Sequence, residues 1–214
     1  MRKIIVGAFT SLDGVMQAPG GPQEDPIGGF TFGGWAAPLF DEKMGASIGQ
    51  LFSKPFDLLL GRKTYDIFAA HWPYVEKDDP IGPLFDRITK YVATRNPAFK
   101  PTWQNSKTLG TDTIAAVRKL RSEDGPDLLT QGSTEFLKAL FDNDLVDEIH
   151  VSVFPVILGK GKRLFGDAAF PRGLTLIGSS TSDTGVVMSK YARAGEVTTG
   201  SFEFETPTDA ELER

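Results

Sequence analysis

Residues 56–66 read FDLLLGRKTYD, and this stretch introduces the strand-to-helix step that the rest of the chain repeats. The apolar run FDLLL is typical of a buried strand, and it stops at Gly61. Arg62, Lys63 and Thr64 follow, where a helix is expected to begin. Backbone N–H groups at a helix N-terminus favour anions, and these three side chains add hydrogen-bond donors. The junction therefore predicts phosphate binding, with a solvated basic first turn as the alternative.

Strands and helices alternate along most of the chain. Strands are predicted at 3–9, 56–60, 90–94, 104–109, 127–131 and 147–158, and helices are predicted to start at Pro38 and at residues 62, 111 and 133. The segments LTLIGSS and GVVMSKYAR then indicate a closing hairpin. This order predicts an α/β fold with a mainly parallel central sheet and an antiparallel C-terminal edge. Residues 1–206 are expected to form a single domain that ends in a short strand in SFEFE, and residues 207–214 an acidic tail.

The bulk composition narrows the classes of function. The 214 residues include no cysteine, which excludes disulfides, thiolate catalysis and cysteine-ligated zinc and is compatible with a reducing compartment. A net charge of −5 argues against nucleic-acid binding and for a small anionic ligand held by local cations. The N-terminal segment has the pattern of a first strand and not of a signal peptide, and no apolar stretch approaches the ~20 residues that span a bilayer. A cytoplasmic protein without membrane association is expected.

Two more glycine turns and one arginine follow predicted strands. TQGSTEF (130–136) places a glycine and two hydroxyl residues at a helix start, and VILGKGKRLF (156–165) forms either a third anion-binding turn or a β-turn with solvated lysines. Arg95 follows the strand YVAT. Because open α/β sheets bind ligands beyond the C-terminal ends of their strands, these turns are expected to share one edge. One phosphate does not need so many donors, so the pattern predicts a ligand with separated phosphates.

Further candidate residues lie in the long loop 14–35 and in the helix expected after it. Loops of this length are usually functional or disordered, and Phe32 and Trp35 favour a lid. Asp41 falls near the apolar stripe of a helix that starts at Pro38. A carboxyl group in that position is either desolvated, and so able to donate a proton, or a first-turn acid that favours the helix dipole.

Two other patterns are interpreted as structural. The segment GASIG (45–49) matches the Gly-x-Ser-x-Gly of serine hydrolases, but it falls within a predicted helix, where small residues allow close packing. His71 and His150 lack the spacing of metal ligands, so no metal site is expected. His150 is interpreted as an ordinary strand residue.

Taken together, these segments resemble the dihydrofolate reductase superfold, in its bacterial riboflavin-reductase-like branch of RibD C-terminal domains. LLLGRKTYD is similar to the segment that holds nicotinamide dinucleotide phosphates in that family, and VATRNP is similar to the turn beside the adenosine 2′-phosphate. QGSTEFLKALF resembles its pyrophosphate turn and helix, and SLDG (11–14) resembles the segment that leads toward the nicotinamide. The resemblance implies a dihydrofolate reductase-like three-layer α/β fold and NADPH as cofactor.

The resemblance also implies roles for individual residues. It places Gly61, Arg62, Lys63 and Thr64 near the phosphates, Thr94 and Arg95 by the 2′-phosphate, and Gln131, Gly132, Ser133 and Thr134 by the pyrophosphate. Asp13 or Asp41 would orient a substrate amide or supply a proton, and Trp35 and Phe32 would stack on the substrate. Nothing in YVATRNP offers the acid that holds a free 2′-hydroxyl, so NADPH is expected to bind ahead of NADH.

Two departures from the folate reductases bear on the substrate. WAAPLFD has Phe40 where those enzymes carry an acid, with Asp41 one residue later, and Gln131 stands where they typically carry a glycine. The chain is therefore predicted to be an NADPH-dependent reductase of a pyrimidine- or pterin-like substrate, resembling 5-amino-6-(5-phosphoribosylamino)uracil reductase. Dihydrofolate reduction and a non-catalytic NADPH-binding sensor are the alternatives. Whether the long strand at 146–158 mediates a homodimer is left open.

Overall fold

In the computed structural model, which describes residues 1–166, 171–202, 206 and 208–213, eight strands form a single sheet. The strands are β1 (Ile4–Ser11), β2 (Phe56–Gly61), β3 (Lys90–Ala93), β4 (Ser106–Thr108), β5 (Asp127–Thr130), β6 (Glu148–Phe154), β7 (Leu174–Thr181) and β8 (Val187–Arg193). The helices are α1 (Glu42–Leu51), α2 (Arg62–Ala69), α3 (Gly82–Arg87), α4 (Thr113–Ser122), α5 (Thr134–Asp142) and α6 (Asp209–Leu212). The strand order in the sheet is β4-β3-β2-β5-β1-β6-β8-β7.

The direction of the strands divides the sheet into two parts. All neighbours from β4 through β6 run parallel, whereas β8 pairs antiparallel with both β6 and β7. The central strands are largely apolar, as in β2, where Leu58, Leu59 and Leu60 are fully buried. Such runs are typical of parallel strands covered on both faces by helices. The predicted α/β fold class, with a mainly parallel sheet and an antiparallel C-terminal edge, is confirmed.

Helix α1 begins later than the proline pattern predicts. Pro38 lies in a short 3-10 turn at Ala37–Leu39, and α1 starts only at Glu42. Asp41 has extended backbone angles, and its side chain accepts a hydrogen bond from the backbone N–H of Met44. Asp41 is thus the N-cap of α1, a position for which aspartate is strongly preferred. The prediction that Asp41 lies inside the helix is wrong because the capping bond sets the helix start.

Other boundaries differ for local reasons. Strand β6 ends at Phe154 instead of residue 158, because Pro155 has no N–H to donate to the sheet. Helix α3 was not predicted, and its first turn contains Pro83, which suits that position. The strand expected in SFEFE falls mainly on residues 203–205, which lie outside the described residues. The domain boundary at 206 stays a prediction.

The long strand β6 lies inside the sheet. It pairs with β1 along one edge and with β8 along the other. Strand pairing between two copies needs a free edge, so β6 offers no surface for a dimer of that kind. Among the described strands, the edges of the sheet are β4 and β7.

Candidate functional site

The two glycine turns that follow β2 and β5 touch each other. These strands are adjacent and parallel, so their C-terminal ends meet at one edge of the sheet. The backbone N–H of Gly61 donates to the carbonyl oxygen of Gly132 at 2.9 Å. A Cβ atom on Gly61 would lie 2.6 Å from the Ser133 nitrogen, and one on Gly132 would lie 2.6 Å from Thr64 Oγ1. Both positions require glycine because the two turns leave no room for a side chain.

This contact brings two helix N-termini to one place. Gly61, which has no side chain, is the N-cap of α2, and Ser133, whose side chain makes no capping hydrogen bond, is the N-cap of α5. The first N–H groups of both helices therefore have no side-chain acceptor. Uncapped N-termini combine free N–H groups with the positive end of the helix dipole, which suits an anion. The structure brings together the predicted phosphate residues Gly61–Thr64 and Gln131–Thr134.

The cations at this edge already have acidic neighbours. Arg62 Nε donates to Asp66 at 2.8 Å, and its guanidinium lies over the Phe99 ring, 3.5 Å from the ring centre. Lys63 Nζ lies 3.9 Å from a carboxylate oxygen of the buried Asp25. Both cations are partly exposed, so a phosphate group can compete with these carboxylates for them.

Thr94 and Arg95 lie at the next strand end along the same edge. Strand β3 pairs with β2 and ends at Ala93, immediately before these two residues. Thr94 Oγ1 accepts from the backbone N–H of Asn96 at 3.1 Å and shapes the turn. Arg95 is exposed and has no hydrogen bond or ion pair within the described part of the chain. Its guanidinium is therefore available to an anion.

The third predicted anion-binding turn, at 156–165, binds the long loop 14–35 instead. Lys162 Nζ donates to Asp25 at 2.6 Å, and Arg163 donates to the carbonyl oxygen of Asp13 at 2.9 Å. A Cβ on Gly161 would overlap Val15 at 2.6 Å, so the turn also packs closely against the loop. The cations of this turn stabilise the loop.

A cavity lies beside the paired turns, between the sheet and α1. Its lining comes from β1 (Gly7, Ala8, Phe9), α1 (Ser47, Ile48, Leu51), β6 (His150, Val151, Ser152), β8 (Met188, Ser189, Lys190) and Gln131. Gly7 forms part of the floor, where a Cβ would approach Leu51 Cδ2 to 3.4 Å. Gln131 is common to the cavity and to the turn before α5, so it connects the two parts of the site. An apolar pocket with a few polar groups is typical of small-molecule sites.

His150 is a cavity residue for which the sequence predicted no function. Its Nε2 lies 3.2 Å from Glu148 Oε2, whereas its Nδ1 is buried and has no hydrogen-bond partner among the described residues. Burial lowers the pKa of His150, and it outweighs the nearby Glu148 carboxylate, which raises it. The alternation of side chains along β6 places His150 on the same face as Ser152, which is the signal in the sequence that could have indicated a cavity residue. The structure adds that His150 is paired in register with Gly7.

Ser47 also lines the cavity. It lies within α1, so the helical interpretation of GASIG is confirmed. A hydrolase elbow would need a sharp strand-to-helix turn at the serine, which a helix interior does not provide.

Asp41, one of the two predicted catalytic acids, is an ionised helix cap. Besides Met44 N–H at 2.9 Å, its carboxylate accepts from the N–H groups of Asp183 at 2.8 Å and Thr184 at 3.2 Å. The bond from Met44, followed by those from Thr184 and Asp183, lowers the pKa of Asp41. The expectation of a desolvated, protonated carboxyl is wrong, because hydrogen bonds to the charged form outweigh its desolvation.

Asp13, the other predicted acid, joins two loops. Its carboxylate accepts from Ser11 Oγ at 2.7 Å, Leu158 N at 3.1 Å and Gly159 N at 2.9 Å. The Ser11 bond is the largest of the effects that lower the pKa of Asp13 to about 2. Asp13 is therefore a carboxylate at neutral pH and holds the loop after β1 against the turn at 156–165.

The two predicted stacking residues do not line the cavity. Trp35 is buried, with its ring edge-on to Phe154 at 5.2 Å and its Nε1 donating to the carbonyl oxygen of Gln17 at 2.8 Å. Phe32 is exposed and packs edge-on against Phe30. The role of Trp35 as a stacking surface is wrong, because its ring is part of a core cluster beneath the loop.

Neither a metal-binding cluster nor a helix that could span a membrane is found among the described residues. No group of three or more histidine, aspartate or glutamate side chains is placed to hold a metal ion. No helix in the same part of the chain is long and apolar enough to cross a bilayer.

Comparisons with known proteins identify the family and the fold. The profile of the RibD C-terminal domain family matches residues 2–188. The uncharacterized protein YyaP of Bacillus subtilis (strain 168) is 27% identical over 194 residues, which span 89% of this chain and 94% of YyaP.

Two solved structures have the same fold. One is the diaminohydroxyphosphoribosylaminopyrimidine deaminase/5-amino-6-(5-phosphoribosylamino)uracil reductase of Thermotoga maritima, with a TM-score of 0.59 at 13% identity over 90% of this chain and 57% of that chain. The other is dihydrofolate reductase from Enterococcus faecalis complexed with NADP(H), with a TM-score of 0.56 at 12% identity over 89% of this chain and 96% of that chain. At these identities the likeness establishes the fold alone.

Proposed function

The chain belongs to the RibD C-terminal domain family, and from this premise we propose that it is an NADPH-dependent reductase of a pyrimidine- or pterin-like heterocycle. The observation that carries the proposal is the contact between the Gly61 and Gly132 turns beside a cavity. The contact joins two uncapped helix N-termini, and the cavity begins at Gln131, the residue before Gly132. A cofactor with phosphates and a reactive ring needs both features side by side.

The residues at the turns fit a dinucleotide phosphate. The N–H groups at the starts of α2 and α5 would hold the pyrophosphate, together with the side chains of Thr64 and Ser133. Arg95 would bind the 2′-phosphate, because it is exposed and unpaired within the described residues. The Arg62 guanidinium, which lies over the Phe99 ring, would contact the adenosine end with its other side. These assignments favour NADPH over NADH.

The chemistry divides between cofactor and protein. NADPH supplies the hydride when it is bound, and the chain binds and orients both partners and excludes water. Gln131 lies where the two ligands would meet. The proton that completes reduction of a C=N bond would not come from Asp13 or Asp41, because both are carboxylates that already accept several hydrogen bonds. It would reach the substrate nitrogen from solvent or through another group.

The cavity favours a substrate other than dihydrofolate. Among the described residues that line it there is no carboxylate, and Asp41 is engaged with backbone groups of the 183–184 turn. Folate reductases place an acid one residue earlier in the chain, where Phe40 stands. A substrate amide would meet serine, glutamine and histidine side chains here instead.

Turnover with a panel of substrates tests the proposal. Purified protein is mixed with NADPH and with a ribosylaminopyrimidine, a dihydropterin or dihydrofolate, and the loss of NADPH absorbance is followed. We expect turnover with the pyrimidine or pterin and little with dihydrofolate. Efficient dihydrofolate reduction, with kcat/KM of ~10⁴ M⁻¹s⁻¹ or more, would contradict the substrate class.

One observation favours the alternative of a non-catalytic NADPH sensor, because neither predicted acid is a proton donor at neutral pH. Tight NADPH binding without turnover of any member of the panel would support the sensor. Equal affinity for NADPH and NADH would contradict the assignment of the phosphate sites in either case.

A further inference from the structure

His150 has an unusual environment for a strand residue. Its ring lines the cavity beside Gly7, its register partner on β1, which also lines it. One ring nitrogen, Nε2, meets the Glu148 carboxylate at 3.2 Å, and the other, Nδ1, is buried without a partner in the described part of the chain. Buried polar atoms nearly always have a hydrogen-bond partner, and leaving one unsatisfied is unfavourable. The missing partner at Nδ1 needs an explanation.

The groups around the ring determine its protonation. Glu148 is a carboxylate: burial alone would raise its pKa, but hydrogen bonds from Lys3 and His150 outweigh burial and lower it. A carboxylate can only accept, so His150 Nε2 carries the hydrogen. Lys190 is paired in register with His150 on β8, and its positive charge disfavours a second proton on the ring. His150 is therefore neutral near pH 7, and Nδ1 is left as a hydrogen-bond acceptor.

We propose that His150 is a substrate-recognition residue, and that its Nδ1 accepts a hydrogen bond from an N–H group of a heterocycle bound in the cavity. The inference rests on the proposed function, which identifies the cavity as the substrate site. It adds that the substrate must carry an N–H hydrogen-bond donor. The χ2 torsion of histidine is soft, so a small rotation of the ring would turn Nδ1 toward a ligand in the cavity that His150 lines. Pyrimidines and pterins with free ring N–H groups satisfy this requirement. Analogues with methylated ring nitrogens do not.

Nuclear magnetic resonance of the imidazole nitrogens tests the proposal without any turnover. The chain has only two histidines, so a His71→Gln variant assigns both rings in a long-range ¹H–¹⁵N spectrum. The probes are 5,6-diaminouracil, which has ring N–H groups, and 1,3-dimethyluracil, which has none. We expect the free protein to show a neutral His150 with the hydrogen on Nε2. Only 5,6-diaminouracil should shift the Nδ1 resonance toward the value of a hydrogen-bonded acceptor.

Matched variants give a second measurement. His150→Phe keeps a planar ring but removes the acceptor, and it should weaken 5,6-diaminouracil binding about tenfold, the size of one buried hydrogen bond. His71 is exposed on the turn after α2, so His71→Gln should bind the probe like the parent. NADPH affinity should be the same in all three proteins, because His150 is not among the turn residues. A loss of NADPH binding in His150→Phe would show a general disturbance and contradict the specific role.

The outcomes separate this inference from the proposed function. If the parent protein fails to bind NADPH but its His150 Nδ1 shifts with 5,6-diaminouracil, the reductase proposal fails and the recognition role stands. An unchanged Nδ1 resonance up to the solubility limit of 5,6-diaminouracil overturns the inference. Equal shifts with both probes, or a doubly protonated His150 at neutral pH in the free protein, overturn it as well.

Discussion

Two parts of the candidate site are built by different means: the edge at the Gly61 and Gly132 turns, which we propose holds phosphates (the phosphate edge), and the cavity beside it. At the phosphate edge, the Gly61 and Gly132 turns use backbone N–H groups, helix starts and the absence of side chains. The cavity instead collects side chains from β1, α1, β6 and β8, which are distant in sequence. Backbone sites need glycines at fixed places and so leave a short motif. Sites built from side chains need only compatible neighbours in space, so they show almost no recognisable motif in the sequence.

The phosphate edge should be the more sensitive of the two regions to a single methyl group. Gly132 has φ of +137°, and a Cβ there would lie 2.6 Å from Thr64 Oγ1. Gly132→Ala should therefore lower the free energy of unfolding by about 2–5 kcal/mol, from backbone strain and overlap together. Urea unfolding measures this loss, and NADPH affinity should fall with it.

Gly110→Ala is the control for this change. Gly110 also has a positive φ, of +76°, but a Cβ there would meet nothing within 4 Å. Gly110→Ala should lose stability from backbone strain alone, without steric overlap. Adding Thr64→Ala should restore part of the lost free energy of unfolding in Gly132→Ala but none in Gly110→Ala. Equal losses at both glycines would mean that the close contact between the turns is unimportant.

Charge at the phosphate edge should discriminate between the two nicotinamide cofactors. Arg95→Ala should cost about 1.5–3 kcal/mol of NADPH binding, ten- to a hundredfold in affinity, because a charge-assisted contact to the 2′-phosphate is lost. NADH affinity should hardly change. Calorimetric titration of both cofactors checks this, with Lys100→Ala, an exposed cation of the same loop, as the control. A parallel loss for NADH would place Arg95 away from the 2′-phosphate.

Asp13 tests whether the loops beside the cavity depend on an ionised carboxylate. Its pKa of about 2 in the folded protein is below the ordinary value of 3.8, so its contribution to stability is present above pH ~4 and is lost as the pH falls through ~2. Asp13→Asn should lower the free energy of unfolding by about 1–2 kcal/mol at pH 7, the full shift being reduced by solvent screening. The difference from the parent should shrink between pH 4 and pH 2. Urea unfolding of both proteins across this pH range checks the direction of the change. Equal stability of the parent and Asp13→Asn at pH 7 would show that the carboxylate does not stabilise the contact between the loops.

The smallest effect is expected at Asp41. Asparagine is an equally good N-cap, and the lowered pKa of Asp41 leaves no titration near neutrality. Asp41→Asn should therefore keep the single-turnover rate at saturating NADPH and the shape of its pH profile. It should slightly lower the melting temperature, because one acceptor for the 183–184 turn is lost. A slower single-turnover rate together with the loss of one limb of the pH profile would show that Asp41 takes part in the reaction.

The sequence was most informative where one chain segment contains the whole feature. Its motifs predicted the fold class and the family resemblance, both of which are confirmed. It also named the Gly61–Thr64 and Gln131–Thr134 segments that meet in the structure. It was misleading at Asp41 and Trp35, whose surroundings come from residues far along the chain, Thr184 and Phe154.

By itself, then, the sequence determined the alternation of strands and helices, the glycines at the strand ends and the cations that follow them. These depend on local backbone preferences and on hydrophobic period, which neighbouring residues express directly. Only the tertiary structure decided which loops the carboxylates of Asp13 and Asp41 join and which side chains face the cavity. The largest effects on the pKa values of Asp13 and Asp41 come from the nearby Ser11 and Met44, but N–H groups about 140 residues away also donate to both carboxylates. His150 became a site residue because Gly7 and Glu148 surround it. Such environments are properties of packing. The loop contacts of the two carboxylates and the unpaired nitrogen of His150 form only when residues distant in the chain are brought together.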